Sequence, residues 1–308
     1  MIRLGTRGSA LALAQARWVA ERLPAEVELV PITTSGDEPR RLPGAPTDKA
    51  RFVKEIEDAL LAGEIDLAVH SAKDVPAELP GGLTIVAVPE RADARDALCG
   101  VESLDDLAHG AVVGTASLRR RAALLALRPD LEVRDLRGNV DTRLRRLAEG
   151  DFDAIVLAHA GLERLGRADE GSPLDPAALL PAPGQGCLVL EACASPGAQP
   201  GGAGDAVAEA AAGLTDRDAL TCLTAERAVV RALEASCHTP MGAHCVRAGA
   251  GLRLTVFVGL PDGSHWIRDE LDGESADPSG LGEAVAERLR GAGAVELLAE
   301  AERAMAAG

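Results

Sequence analysis

A short segment occurs twice in this sequence and sets strong limits on its fold. Gly63-Glu64-Ile65-Asp66 and Gly150-Asp151-Phe152-Asp153 each follow a helical pattern and lead into an apolar strand. The elements around both copies come in the same order, strand, turn, helix and strand. This repetition predicts two similar α/β domains. We expect two such domains to face each other across a cleft, where ligands commonly bind.

The remaining sequence predicts a smaller third domain. A long helical pattern is followed by a hairpin across Pro261-Asp262-Gly263-Ser264 and by two Ala-rich helices. The expected fold class is α/β, with two domains like those of periplasmic binding proteins and a smaller C-terminal α+β domain. The expected bounds are 1–90 with 187–205 for the first domain, 91–186 for the second and 206–308 for the third. Pro89–Gly100 is interpreted as a crossover, and Ser236–Gly242 as a loop.

Two charged residues end the strand of the first copy. Ile65, Leu67 and Val69 alternate along a buried strand, and Lys73 and Asp74 follow it. Ligands of open α/β sheets bind at the carboxyl ends of strands, so this pair is a candidate for substrate contact. A solvated turn with an unimportant charge pair is the alternative on these residues alone.

Histidines end the equivalent strands of the two copies. They are His70 and His159. We expect both to be structural residues with satisfied hydrogen bonds.

The charge distribution favours a small anionic ligand. The net charge is −16, which argues against a nucleic-acid partner, yet residues 115–146 hold nine arginines and four acids. The turns Thr6–Ser9 and Thr115–Ser117 each begin a helix, and free N–H groups at such ends bind carboxylate or phosphate. Position favours ligand contact for one set of arginines, Arg7, Arg119, Arg120, Arg137 and Arg143. A second set is interpreted as solvated helix-face charges: Arg121, Arg128, Arg145 and Arg146.

Six cysteines are scattered along the chain without a CxxC pair, which argues against a disulfide framework. Cys237 lies in a polar loop beside His238, where it could be nucleophilic or carry a covalent group. With His244 and Cys245 it also suggests a zinc site, but the spacing matches no common one, and we expect no metal. Cys245 and the other four cysteines are expected to be packed. No apolar run reaches the length of a membrane span and no signal peptide is recognisable, so we expect a cytoplasmic protein.

Several short motifs occur together in a fixed order, and in this combination the chain closely resembles the porphobilinogen deaminase, or hydroxymethylbilane synthase, family. The resemblance extends from the N-terminus to the predicted hairpin. The motifs are Thr6-Arg7-Gly8-Ser9, Phe52-Val53-Lys54-Glu55, Ala68–Pro76, Gly114–Arg120, Leu136–Val140, Ala160-Gly161-Leu162, Pro183–Gly186 and Thr224–Arg227.

The resemblance implies a monomeric three-domain transferase of porphyrin and heme biosynthesis. Such an enzyme joins four porphobilinogens on a dipyrromethane cofactor, here attached through a thioether to Cys237, and releases ammonia and a linear tetrapyrrole. It implies that Asp74 is the catalytic residue, which contacts the pyrrole nitrogens, and that Lys49 belongs to a mobile loop. The implied cofactor- and substrate-binding residues are Arg7, Ser9, Lys73, Ser117, Arg119, Arg120, Arg137 and Arg143.

The chain departs from the family pattern at three places, one of which is Ala116, where a serine is frequent. Thr47–Arg51 stands where a glycine-rich lid is usual, which puts lid movement and the role of Lys49 in question. The cofactor cysteine lies in Ser236-Cys237-His238-Thr239-Pro240, where the family has Gly-Cys-Gln before a later proline. The alternative function, from another class, is a non-catalytic two-domain protein that binds a small polycarboxylate, which would need neither Cys237 nor Asp74.

Overall fold

Strands and helices alternate through the first two thirds of the chain. The structure is a computed structural model that describes residues 1–34, 53–194, 203–235 and 239–307. The strands within these residues are β1 (Ile2–Arg7), β2 (Val27–Ile32), β3 (Leu67–Ser71), β4 (Leu83–Ala87), β5 (Asp96–Cys99), β6 (Val112–Gly114), β7 (Glu132–Arg134), β8 (Ala154–Ala158), β9 (Ser172–Pro173), β10 (Leu188–Cys193), β11 (Met241–Ala248), β12 (Gly251–Gly259) and β13 (Trp266–Gly273).

The helices of the same residues flank these strands. They are α1 (Ala10–Ala20), α2 (Lys54–Leu61), α3 (Leu118–Leu127), α4 (Val140–Ala148), α5 (His159–Arg164), α6 (Ala203–Ala212), α7 (Arg217–Ala232), α8 (Pro278–Gly291) and α9 (Ala294–Ala307). In the part of the chain that is described, no helix has the length and apolar character needed to cross a bilayer.

The chain divides into two units. The first comprises Met1–Ala92 and Cys187–Leu220, and the second comprises Asp93–Gly186 and Thr221–Gly308. The expected three-domain bounds, and the cleft, stay predictions.

The first unit is built on a five-stranded sheet of order β2-β1-β3-β10-β4. Strand β1 is parallel to β2 and β3, whereas β10 is antiparallel to β3 and β4. Helix α1 buries Ala16 and Val19 against one face of the sheet, and α2 buries Ile56 and Leu60 against the other. Cover on both faces explains why β3 and β10 are almost continuously apolar.

The second unit contains a sheet of the same layout, β7-β6-β8-β5-β9. Strand β6 is parallel to β7 and β8, and the antiparallel β5 lies between β8 and β9. Pro89–Gly100 does pass from the first unit to the second, as expected of a crossover, but it also contains β5, which was not predicted. Four residues are too few to show a periodic pattern, and this strand is buried on both faces.

An antiparallel sheet of three strands, β11-β12-β13, completes the second unit. Helices α7, α8 and α9 cover it and share a core that includes Val229, Leu254 and Val285. The expected loop ends earlier than predicted, because β11 already begins at Met241 and pairs with β12 along its whole length. With two similar α/β sheets and a smaller antiparallel sheet with helices, the expected fold class is confirmed.

Candidate active site

Two of the predicted site segments follow adjacent strands of the first unit. Strands β1 and β3 are parallel neighbours, with Gly5 opposite Ala68. The residues at and after their ends therefore belong to the same edge of the sheet: Arg7 ends β1 and Ser9 follows it, and Lys73 and Asp74 follow β3. These four side chains are the candidate site residues of the first unit.

The first of these segments is the start of helix α1. Ser9 is the N-cap, and its hydroxyl accepts a hydrogen bond from Ala12 N at 3.3 Å. The first turn contains no acidic residue, so the positive end of the helix dipole is not offset within the helix. With Arg7 beside it, this helix end is suited to an anion.

The second segment is a tight turn directly after β3. Residues Ala72–Asp74 form one 3₁₀ turn, held by Ala72 N donating to Cys187 O at 3.0 Å and Val75 N donating to Ala72 O at 3.3 Å. Ala72 and Val75 are buried, whereas Lys73 and Asp74 are half-buried. Buried neighbours on both sides fix the backbone that carries the two charged side chains.

The second unit repeats this arrangement at the edge where β6 and β7 end. The two strands are parallel neighbours, and Thr115 N donates to Arg134 O at 3.0 Å just beyond them. Ser117 then caps α3, and Asn139 caps α4, accepting from Thr142 N at 2.9 Å. Two helix N-termini therefore follow adjacent strands of one sheet.

Arg119 and Arg120, in the first turn of α3, lie inside the protein. They are 4% and 5% exposed, and both donate to the carboxylate of Asp96, which is fully buried. Their remaining bonds go to backbone carbonyls, from Arg119 to Leu180 O at 2.6 Å and from Arg120 to Val156 O at 2.8 Å. Position alone did not predict this burial.

Asp96, which the sequence reading missed, is the centre of this cluster. Gln185 Nε2 also donates to it, at 2.8 Å, so one carboxylate accepts five hydrogen bonds. Burial alone would raise the pKa of Asp96, but the guanidinium groups of Arg119 and Arg120 outweigh it and hold this pKa far below its usual range. The only sequence signal was an acid that opens the apolar run of β5.

Arg137 and Arg143 flank the start of α4. Arg137 is exposed and donates to Asp135 at 2.9 Å, whereas Arg143 is half-buried and donates through Nε to Gly138 O at 2.8 Å.

Of the arginines interpreted as solvated helix-face charges, Arg145 and Arg146 pair at the surface with Glu149 and Asp151. The interpretation is wrong for Arg128, which is half-buried and donates to the backbone carbonyls of Leu104 and Leu107.

Three buried titratable side chains lie together in the first unit. His70 Nε2 is 3.2 Å from Glu191 Oε2, and Glu57 on α2 faces the same side of the sheet. The contact between His70 and Glu191 does not have the geometry of a hydrogen bond. Among the described residues, His70 Nε2, Glu57 Oε1 and both carboxylate oxygens of Glu191 therefore lack a hydrogen-bond partner. His159 Nδ1 lacks one as well, so the expectation of satisfied histidines is wrong for these atoms.

Some predicted site residues lie outside the described part of the chain, namely Lys49, Cys237 and His238. Of the other cysteines, four are buried as expected, whereas Cys193 is exposed, which corrects its assignment as a packed residue. Within the described ranges no cluster of three potential metal ligands occurs.

Known protein families match the chain over nearly its whole length. Residues 2–197 match the model of the porphobilinogen deaminase dipyromethane cofactor binding domain, and residues 220–291 match that of the porphobilinogen deaminase C-terminal domain. The chain belongs to the porphobilinogen deaminase family. The family resemblance seen in the motifs is thereby confirmed.

Curated porphobilinogen deaminases resemble the chain along its length. The protein from Thermus thermophilus is 47% identical, with 97% of this chain and 99% of that protein covered. The protein from Roseiflexus castenholzii is 46% identical, with coverage of 97% and 98%. Porphobilinogen deaminase is hydroxymethylbilane synthase, a transferase, so the chain belongs to a family of enzymes and not to one of simple binding proteins.

Solved structures of binding proteins show only a weak likeness. The second substrate-binding domain of a putative amino acid ABC transporter from Streptococcus pneumoniae is 14% identical, with a TM-score of 0.39 and coverage of 75% and 93%. A nutrient binding protein from Burkholderia cenocepacia bound to methionine is also 14% identical, with a TM-score of 0.39 and coverage of 65% and 88%. The fold class rests on the sheet topology of this chain and not on these scores.

The donor set fits the cofactor of the porphobilinogen deaminase family. A dipyrromethane carries several carboxylates, and this chain offers arginines and helix N-termini at the edges of both five-stranded sheets. Arg119 Nε is also a buried donor without an acceptor among the described residues. Such donors favour an acidic group in the bound state.

Proposed function

We propose that this chain catalyses the hydroxymethylbilane synthase reaction. It joins four porphobilinogen molecules head to tail on a dipyrromethane primer and releases hydroxymethylbilane and ammonia. The observation that carries the proposal is the agreement of both family models with the chain, over residues 2–197 and 220–291. When bound, the dipyrromethane supplies the pyrrole carbon to which the first substrate unit is joined.

Asp74 is the proposed catalytic residue. Loss of ammonia from the aminomethyl group of porphobilinogen leaves a cation that is delocalised over the pyrrole ring. A fixed carboxylate beside the ring nitrogen stabilises that cation as the charge develops, and it can accept a proton when the new bond forms. The position of Asp74 in a tight turn with buried neighbours, at the end of β3, supports this role because it limits reorganisation.

The proposed binding residues are those that lie near strand ends in each unit. Acetate and propionate groups on every pyrrole make the substrate and the growing chain anionic, which suits arginines and helix N-termini. In the first unit these residues are Arg7, Ser9 and Lys73. In the second unit they are Ser117, Arg119, Arg120, Arg137 and Arg143.

Cys237 is the proposed attachment site and Lys49 the proposed residue of a lid. Both lie outside the described residues, so their roles rest on the family motif alone. A thioether resists hydrolysis, so a cysteine anchor would keep the primer while the product leaves. We also propose that the enzyme is a cytoplasmic monomer with porphobilinogen as its substrate and without a nucleic-acid or membrane partner, in keeping with a net charge of −16.

Intact mass and turnover test the proposal together. The purified chain should carry the mass of a dipyrromethane, and Cys237→Ser should remove it. Asp74→Asn should keep the adduct and the fold but lose at least about 100-fold in kcat, the usual scale for a positioned charge of this kind. An unmodified wild-type chain that binds polycarboxylates without turnover would establish the alternative, a binding protein.

A further inference from the structure

The cluster around Asp96 contains more N–H donors than hydrogen-bond acceptors. Two guanidinium groups present ten N–H donors, and six hydrogen bonds are made by Arg119 and Arg120. Four N–H groups therefore have no acceptor among the described residues. Since the two side chains are 4% and 5% exposed, these donors are largely shielded from water as well.

The net charge of the cluster also favours a bound anion. Two arginines and one aspartate leave a net charge of +1 in a buried place. The cluster lies in the first turn of α3, which contains no acid and whose helix dipole adds further positive potential. An uncompensated buried positive charge is costly, so a second carboxylate bound at the cluster would be stabilised there.

Asp96 sets where both guanidinium groups lie. Its Oδ1 accepts from Arg119 at 3.2 Å and from Arg120 at 3.1 and 2.8 Å, while its Oδ2 accepts from Arg119 at 2.7 Å. The same Oδ1 accepts from Gln185, which also donates to Ala94 O at 2.8 Å. One carboxylate thus ties β5, the first turn of α3 and the segment of Gln185 to each other.

We propose that Asp96 is a positioning residue for the reaction, which holds Arg119 and Arg120 so that their remaining N–H groups bind a carboxylate of the dipyrromethane or of the growing chain. The inference rests on the proposed function. Asp96 itself touches neither cofactor nor substrate. It acts by fixing the direction of the two arginine side chains and by neutralising only one of their two positive charges.

Two substitutions at position 96 test this role. Asp96→Glu keeps the charge but moves the carboxylate by one methylene, and Asp96→Asn removes the charge. The matched control is Asp93→Asn, because Asp93 pairs with Arg95 in a partly exposed site. Each protein is purified as expressed, and the fraction with the dipyrromethane mass is measured together with kcat, KM for porphobilinogen and Tm.

We expect the Asp96 variants that fold to carry less adduct than wild type. In the fraction that does carry it, KM should rise about 10- to 100-fold, the effect of weakening one charge-assisted hydrogen bond, whereas Asp93→Asn stays like wild type. A purely structural role would lower Tm but leave KM of the loaded protein unchanged. Full adduct and wild-type KM in whichever Asp96 variant folds would overturn the proposal. Failure of the proposed function would look different, because the wild-type chain would then lack adduct and turnover.

Discussion

Replacement of Glu57 by glutamine should make the chain more stable at alkaline pH and leave its stability unchanged in acid, where the wild-type carboxyl is protonated in both the folded and the unfolded state. Glu57 is 5% exposed on α2 and lies near Glu191 and His70. Burial, and next the Glu191 carboxylate, raise the pKa of Glu57 from 4.5 to about 7, against an opposing effect of His70. The other charged groups that act on it are Asp58, which raises this pKa, and Lys54, which lowers it.

The direction of the effect follows from the raised pKa. The folded state favours the protonated carboxyl, so its contribution to stability is complete below pH 4.5 and is lost as the pH rises through about 7. The full shift corresponds to roughly 3 kcal/mol in the free energy of unfolding. We therefore expect an effect on the order of 2–3 kcal/mol.

Equilibrium unfolding at two pH values tests the reasoning. Well below pH 4.5 the glutamine variant should match wild type, because the carboxyl is then protonated in both the folded and the unfolded state, and a protonated glutamate and a glutamine have nearly the same shape and charge. Near pH 8.5 the variant should be more stable by about 2–3 kcal/mol, a rise in Tm of several degrees. Asp58→Asn is the matched control on the same helix, since its pair with Lys54 is exposed and worth little at either pH. A variant with no alkaline advantage over wild type would refute the argument.

Two further predictions concern the second unit. Gly263→Ala should lower the free energy of unfolding by about 3 kcal/mol or more, because φ is +74° and a Cβ would lie 2.4 Å from the carbonyl carbon of Leu125. Gly249→Ala is the control, since φ is +60° but the space around it is open, and it should cost only about 1 kcal/mol. Equal losses of the two variants in urea unfolding would contradict the steric argument. Glu226→Gln should cost about 1–3 kcal/mol, because this fully buried carboxylate accepts from Cys245 N at 2.8 Å and from a second backbone N–H at 2.6 Å, and an unchanged Tm would show that neither bond matters.

The sequence predicted the edges of the sheets better than their interior. The turn Thr6–Ser9 was expected to begin a helix, and Ser9 caps α1. Local rules suffice there because a cap is formed by residues three or four positions apart. The order of elements around Gly63 and Gly150 likewise predicted two similar sheets, since each strand and helix is long enough to show its own pattern.

Burial of charge could not be predicted in this way. Arg119 and Arg120 lie where a helix start should be exposed, and only Asp96, 23 positions earlier than Arg119, explains why they are buried. That partner is supplied by β5, whose four residues gave no periodic signal. A contact between distant segments depends on the sheet order, which local patterns do not contain.

Buried acids in short apolar strands nevertheless share a recognisable sequence context. Asp96 opens the apolar run of β5, and Glu191 interrupts that of β10. A charged residue in a strand that is covered on both faces must find a partner or hold a proton, because desolvation of a lone carboxylate is too costly. Asp96 pairs with two guanidinium groups and stays ionised. Among the described residues, Glu191 has only His70 as a cationic partner within 4 Å, and His70 is a cation only when it is protonated. The same sequence context therefore leads to a fixed ion cluster in one sheet and, through Glu57, to a group that titrates near neutral pH in the other.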